Sequence, residues 1–379
     1  MAARIRSQRL AYRLGRFLMM AAVALLVALA IGLVWLVAIS PGQPHPLRDA
    51  SGNVIPGSLS ERATVEIGGI QQSIIIQSID PANPVLLFLH GGPGMTEFFV
   101  EQDYPTGLEQ HFTVVWWEQR GAGMSFSPDI PPETMNMAQM IADTIEVTDY
   151  LRKRFSQDKI MLLGHSWGSY LGIQVADAAP DRFRAYVGMA QIVHQLRSEV
   201  MTHDYLLGAY RARGDAGMVR RLEAAPVSME NGLSPEWMRL RDAAMHRAGV
   251  GHARDISSVV TGIFLPVWRV RAYTLMDKIN VWHGKLWSRQ FFWEDLLRDD
   301  LRARLTEFNL PIYFFVGRHD QTANPELTRA YFDVIEAPLN GFYVFENSAH
   351  SPLFEEPERA FSILLEDIIG GQDMRADAE

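Results

Sequence analysis

A short apolar run, Ile160-Met161-Leu162-Leu163, feeds directly into Gly164-His165-Ser166-Trp167-Gly168-Ser169, and few local sequences restrict a backbone more. A β run entering G-x-S-x-G describes a tight strand-to-helix turn. In such a turn the serine stands clear of the sheet, and the flanking glycines admit neighbouring backbone without a Cβ clash. The continuation Tyr170-Leu171-Gly172-Ile173-Gln174-Val175-Ala176 reads as a helix, so the strand–turn–helix context is present. Ser166 is thereby a candidate nucleophile. The rest of the chain has to supply a base, an acid that orients it, and donors for a developing negative charge.

Strand and helix patterns alternate on both sides of this turn. Ala63–Ile67 and Ile70–Gln77, joined at Gly68-Gly69, form an expected hairpin. Pro84–Leu89 and Phe112–Trp117 are continuous apolar runs of the kind buried on both faces of a parallel sheet. Met137–Phe155 repeats apolar residues at helical spacing. Another strand is expected near Ala185–Met189. From about Ile192 the alternation pauses for a helical stretch punctuated by Gly214 and by Ser234-Pro235, an N-cap followed by proline at the first helical position. Strand character returns at Pro311–Val316 and Gly341–Phe345, with helices near Pro325–Val334 and Glu358–Ile369. The expected fold class is α/β, a mostly parallel eight-stranded sheet flanked by helices, with a helical lid inserted after the sixth strand. The expected division is core at 61–191 and 306–371, lid at 192–305 and a tail at 372–379.

The N-terminus departs from this pattern. Arg4, Arg6, Arg9, Arg13 and Arg16 form a basic tail at 1–16, ahead of an uncharged run from Phe17 to Ile39. As a helix that run is roughly 35 Å long, enough to cross a hydrocarbon core of about 30 Å. It is longer than the apolar core of a cleavable signal, and Pro41 follows the nearest small-residue site, so an uncleaved signal-anchor at 17–39 is expected. Positive charge before the span predicts a cytoplasmic N-terminus, with the remaining domain on the outer side of the membrane. Residues 40–60, rich in Pro, Gly and Ser, read as a linker. The net charge of −9 argues against nucleic acid as a partner, and the absence of cysteine excludes disulfides, thiolate metal sites and a cysteine nucleophile. With no H-E-x-x-H and no His/Asp cluster of metal-ligand spacing, no metal or cofactor is expected.

Ligands of parallel α/β sheets sit at the C-terminal ends of the strands, and the polar motifs collect there. Gly317-Arg318-His319-Asp320 follows one late strand, and Glu346-Asn347-Ser348-Ala349-His350 follows the last. The chain order Ser166, Asp320, His350 matches one of the three common triad orders and neither of the others. Ser166 becomes a competent nucleophile when His350 takes its proton, and Asp320 would hold the imidazole in the useful tautomer. His319 points away by strand alternation. Asp333 and Glu346 are the alternative acids. His90-Gly91-Gly92-Pro93-Gly94, after the Pro84–Leu89 strand, offers the N–H groups of Gly91 and Gly92 to an oxyanion, joined by the N–H of Trp167.

These motifs together resemble the prolyl-aminopeptidase (proline iminopeptidase) branch of the α/β-hydrolases. The resemblance is carried by His90–Gly94, Glu118-Gln119-Arg120-Gly121-x-Gly123-x-Ser125, Gly164–Ser169 and Gly317-x-x-Asp320, and by a lid stretch with Tyr273-Thr274-Leu275-x-Asp277-Lys278 and Trp293-x-Asp295-Leu296-Leu297. It implies an acyl-enzyme and release of an N-terminal residue from short peptides. In that branch acidic lid residues bind the substrate's amine; Glu199 is the candidate here, with His90 and Trp293 as further substrate-binding residues. Position 118 is Glu where the branch has Asp, and His165 replaces a common Gly. Five of nine tryptophans, Trp237, Trp268, Trp282, Trp287 and Trp293, fall in the lid. Most are expected in its core and a few along an apolar pocket, which would suit an ester or lactone as well as a peptide. A hydrolase fold kept only as a binding module would be expected to lack a triad member or the oxyanion glycines, and none is missing.

Overall fold

The computed structural model describes residues 2–377. Eight strands build one sheet: β1 (Leu59–Ile67), β2 (Ile70–Ser78), β3 (Val85–Leu89), β4 (Thr113–Glu118), β5 (Ile160–His165), β6 (Phe183–Met189), β7 (Ile312–Gly317) and β8 (Asn340–Phe345). Their spatial order is β1-β2-β4-β3-β5-β6-β7-β8. The first two pairings are antiparallel and the rest are parallel. The sequence places the strands correctly, except that β1 begins four residues earlier than Ala63.

Strand composition explains the layering. Every residue of β3 is buried. Val85, Leu87 and Leu89 enter the core on one side of the sheet, while Leu86 and Phe88 enter the core on the other. In β5, Ile160 and Leu162 divide from Met161 and Leu163 in the same way. A period of two with apolar residues at both phases is what a sheet covered on two faces demands. The order β4-β3-β5 makes β3 the point where the winding reverses, so the loops after β3 and β5 diverge to leave a crevice.

The insertion between β6 and β7 is largely helical and carries its own apolar cluster, centred on Leu206, Tyr210, Leu222, Trp237 and Met245. Its main helices are α1 (Gln195–Ala212), α2 (Pro235–Ala248) and α3 (Leu275–Arg298). Ser234 accepts from the Trp237 N–H, the expected N-cap, and Gly249 ends α2 at φ 76°. A two-stranded ribbon, Val227–Ser228 with Gly232–Leu233, adds strand to a region read as wholly helical.

Both terminal segments differ from their expected roles. The linker is fastened: Pro41 bridges to Thr274, and the Gln43 N–H donates to the Arg271 carbonyl. Near the other end, Asp377 pairs along the edge strand β8. Its N–H donates to Phe342, its carboxylate accepts from Val344, and Arg359 holds it at 2.9 Å. Backbone groups at a sheet edge seek partners, and this segment covers them. Ahead of the linker, one helix runs from Ala2 to Ala38; its stretch Tyr12–Ala38 is apolar and unburied, long enough to cross a membrane.

Candidate active site

Ser166 occupies the turn between β5 and the helix Trp167–Ala178 with φ 55° and ψ −118°. A left-handed φ at a non-glycine residue costs about 1–3 kcal/mol and persists only where its surroundings impose it. Here they do. A Cβ at Gly164 would lie 2.2 Å from the Gly168 carbonyl, and one at Gly168 would lie 2.0 Å from the Leu89 carbonyl. The two glycines let strand, helix and the neighbouring β3 close on the turn, and Ser166 takes the strained conformation that remains.

The late-strand motifs converge on the same crevice. His350 Nδ1 lies 2.8 Å from Asp320 Oδ2. Asp320 is fully buried, and its Oδ1 accepts the N–H groups of Thr322 (2.7 Å) and Ala323 (3.0 Å), so its charge is held by backbone dipoles. Gly317 makes this approach possible, since a Cβ there would lie 1.8 Å from the Ala349 carbonyl. Ser166, His350, Gly92 and Trp293 all line one cavity of about 170 Å³. The alternative acids stand outside it: Glu346 pairs with Arg318 and Asp333 with Arg329, both at the surface.

Of the expected oxyanion donors, Gly92 has φ 123°, and Trp167 is the first residue of its helix, where the N–H has no acceptor within the helix. Gly91 sits behind Gly92; a Cβ there would press on Glu97 Oε1 at 3.0 Å and on Ser166 Cβ at 3.3 Å. The Trp167 side chain is core, its indole donating to Gln119 Oε1 at 3.0 Å.

Two expected substrate-binding residues have other work. His90 is buried, and its Nε2 accepts from the Gln119 N–H, which leaves Nδ1–H to donate to the Gly91 carbonyl at 2.8 Å. Burial lowers its pKa, and it braces the glycine loop from below. Glu199 is fully buried, away from the cavity lining. It accepts from Trp237 Nε1 at 2.8 Å and from Arg241 Nε at 2.9 Å, so its charge is already neutralised inside the lid. Spacing along the chain could not reveal that Arg241, from α2, would meet it.

The lid cations carry no signal in the local sequence pattern. Arg241, Lys285 and Arg289 line the cavity, with Arg289 4.9 Å over the Trp293 ring. Arg241 is paired with Glu199 and Asp242. Among the described residues Lys285 and Arg289 make no ion pair, and both project from α3 at i and i+4.

The residue before the serine is equally informative. His165 Nδ1 lies 2.7 Å from Glu97 Oε1, and its Nε2 lies 2.7 Å from the His350 carbonyl. Both neighbours are acceptors, so the ring is satisfied only when both nitrogens carry protons. Burial alone would lower its pKa, but the charge of Glu97, the hydrogen bond to it and the His350 carbonyl together raise it above the ordinary value. The imidazolium thus ties the serine turn to the loop bearing His350. Because the folded pKa lies above the unfolded one, this contribution is complete below about pH 6.5 and is lost as pH rises through the raised value. The stability difference between wild type and His165→Asn, from urea melts, is therefore expected to shrink with rising pH. A pH-independent difference would refute the charged form.

The Glu118-Gln119-Arg120 stretch is scaffold. The Glu118 carboxylate accepts from the Met124 N–H and the Tyr273 hydroxyl, joining core to lid, and burial pushes its pKa up to about 7. Gln119 links the His90 carbonyl (3.0 Å) to the Trp167 indole, spanning the loop after β3 and the turn after β5. Arg120 forms a fully buried ion pair with Asp143 at 2.7 Å.

Comparison with known proteins agrees with this architecture. Residues 84–357 match the family described as alpha/beta hydrolase fold. A Bacillus subtilis (strain 168) protein named "Probable aminopeptidase YbaC" is 31% identical over 302 residues, covering 79% of this chain and 93% of its own. A proline iminopeptidase of Saccharolobus solfataricus is 25% identical over 319 residues, covering 81% and 91% respectively. Among solved structures, the Mycobacterium smegmatis proline iminopeptidase superposes with a TM-score of 0.58 at 19% identity, over 82% of this chain and 98% of that one. The chain belongs to the α/β-hydrolase fold family, in its prolyl-aminopeptidase-like branch.

Proposed function

We propose that the protein is a membrane-anchored serine hydrolase working through an acyl-enzyme on Ser166, and that its substrates are short peptides cleaved after an N-terminal residue. One observation carries the reading: a serine forced into a strained turn shares a small cavity with a histidine whose other nitrogen is held by a buried aspartate. With Nδ1 engaged by Asp320, Nε2 of His350 is the nitrogen left to take the Ser166 proton as Oγ attacks the carbonyl carbon. The oxyanion is met by the N–H groups of Gly92 and Trp167. The protonated His350 then gives its proton to the leaving amine, and a water repeats the sequence to free the serine. The names of the curated relatives favour an aminopeptidase.

A second reading, a carboxylesterase or lactonase, draws support from the lid. An aminopeptidase needs a carboxylate for the substrate's ammonium group, and every cavity carboxylate already has a cationic partner: Glu97 has His165, and Asp242 has Arg241. A panel of proline arylamide, short peptides, aryl esters and lactones separates the two readings. Turnover of amides with free N-termini, lost on N-acetylation, is the expected result; esters turned over with no amide cleavage would favour the second. A fluorophosphonate that labels wild type and Ser166→Ala alike, or neither, would refute both.

The apolar N-terminal helix supports anchoring, and its flanking arginines support a cytoplasmic N-terminus with the catalytic domain outside. Protease added to intact cells is expected to reach the domain.

A further inference from the structure

The end of the N-terminal helix is bolted to the lid. Lys278, buried in the first turn of α3, donates from Nζ to the Ile39 carbonyl (3.2 Å), to Ser40 Oγ (2.7 Å) and to the Trp268 carbonyl (2.8 Å). The ammonium group meets carbonyls at the C-terminal end of the helix, where the helix dipole favours positive charge. Arg62 pairs with Asp277 one residue away. With Pro41 bridged to Thr274, the domain cannot swing freely on its anchor, and one lid face is held beside the span.

That face is apolar. Lid residues Val260–Phe264 form a π-helical turn continued by the helix Leu265–Arg269. Val260, Phe264 and Leu265 are 58%, 40% and 47% exposed. Phe264, Leu265 and Trp268 share an open hollow of about 740 Å³ with Trp35 and Leu36 of the N-terminal helix. Trp35 lies four residues before Ile39, about 6 Å along the helix axis. In a span ending at Ile39 that puts Trp35 about 6 Å from the membrane–water interface, near which tryptophan concentrates. On the opposite side of the same turn, Ile263 lines the cavity of Ser166 and His350.

We propose that the lid segment Val260–Arg269 is seated in the interfacial layer of the bilayer that the anchor spans, with Val260, Phe264 and Leu265 in contact with lipid acyl chains. The proposal rests on the reading of the N-terminal helix as a membrane span. Lipid is the occupant because Phe264, Leu265 and Trp268 share one open hollow with Trp35 and Leu36 of that helix, and a protein partner there would have to displace the lipid around Trp35. One turn of helix then separates the bilayer from the catalytic cavity, so the cavity wall at Ile263 moves with the lipid-facing surface.

The chain has no cysteine, so a single introduced thiol reports one position. Full-length Leu265→Cys, with Val260→Cys as a second site in case the first perturbs folding, is labelled with bimane and reconstituted into phosphatidylcholine vesicles with or without brominated acyl chains. Leu26→Cys reports the anchor. Val334→Cys, exposed just past the helix between β7 and β8, reports a core position outside the hollow. Loss of fluorescence in brominated lipid at 26, 260 and 265, with none at 334, is the expected result. Quenching at 26 alone overturns the proposal and leaves the anchor standing; so does a signal at 260 and 265 that is unchanged by bromination, as a protein-covered surface would give. No quenching at 26 overturns the anchor and the proposal together.

Discussion

Ser166→Ala and His350→Ala are each expected to lower kcat by about 10³–10⁶ while leaving the fold intact. The size follows from the division of labour. Without the hydroxyl there is no acyl-enzyme, and without the imidazole the hydroxyl stays protonated and the leaving group leaves unprotonated. The two losses should not add, because either substitution removes the same pathway, and the double variant should resemble the singles. What survives is the contribution of the oxyanion donors and of substrate binding. The fold should tolerate both changes: Ser166 makes no side-chain hydrogen bond at its turn, and removing its Oγ relieves no packing constraint set by Gly164 and Gly168. Thermal melts matching wild type, alongside absent fluorophosphonate labelling of the serine variant, would check both halves. Turnover near the wild-type rate in either variant would remove the proposed mechanism.

The largest loss of stability is expected from breaking the Arg120–Asp143 pair. Both side chains are fully buried. Arg120 also donates to the Gly68 carbonyl (2.7 Å) and Thr134 Oγ1 (3.2 Å), while Asp143 accepts from Gln72 (2.7 Å) and Gln139 (2.7 Å). The network thereby joins the β1–β2 hairpin, the loop after β4 and the helix Met137–Arg154. Asp143→Ala strands a guanidinium without its counter-charge and should cost about 3–5 kcal/mol. In thermal denaturation that is a fall of roughly 5–15 °C in Tm. Replacing both partners by apolar residues of similar size, Arg120→Met with Asp143→Leu, should cost less than Asp143→Ala, because no buried charge is left over. A double variant as unstable as the sum of the singles would show that packing, rather than the unpaired charge, sets the penalty.

Much of this molecule is written in local pattern. Alternating phases of apolar residues in β3 and β5 specify strands buried on two faces, since no other element hides both phases. Gly164 and Gly168 around Ser166 specify the turn, because only glycine lets backbone approach so closely there. Asp320 and His350 were legible because parallel strands bring their C-terminal ends together whatever lies between them in the chain. The apolar helix before Ile39 needs only length and composition.

Charge pairing across elements was not legible in this way. Glu199 reads as a free lid carboxylate until Arg241 arrives from another helix to neutralise it, and His90 reads as a substrate contact until Gln119 reaches its ring from the loop after β4. Lys278, 239 residues after Ile39 in the chain, reads as an ordinary helix lysine until it closes on the carbonyl of Ile39. A residue's periodicity fixes the face on which it lies, because that depends on its own backbone. Its partner, and therefore its charge state and its task, depends on which distant surface packs against that face. The sequence alone determined the sheet, the turn at Ser166 and the order of the triad candidates; only the tertiary structure decided which charges stay free in the cavity and that the lid is fastened to the end of the N-terminal helix.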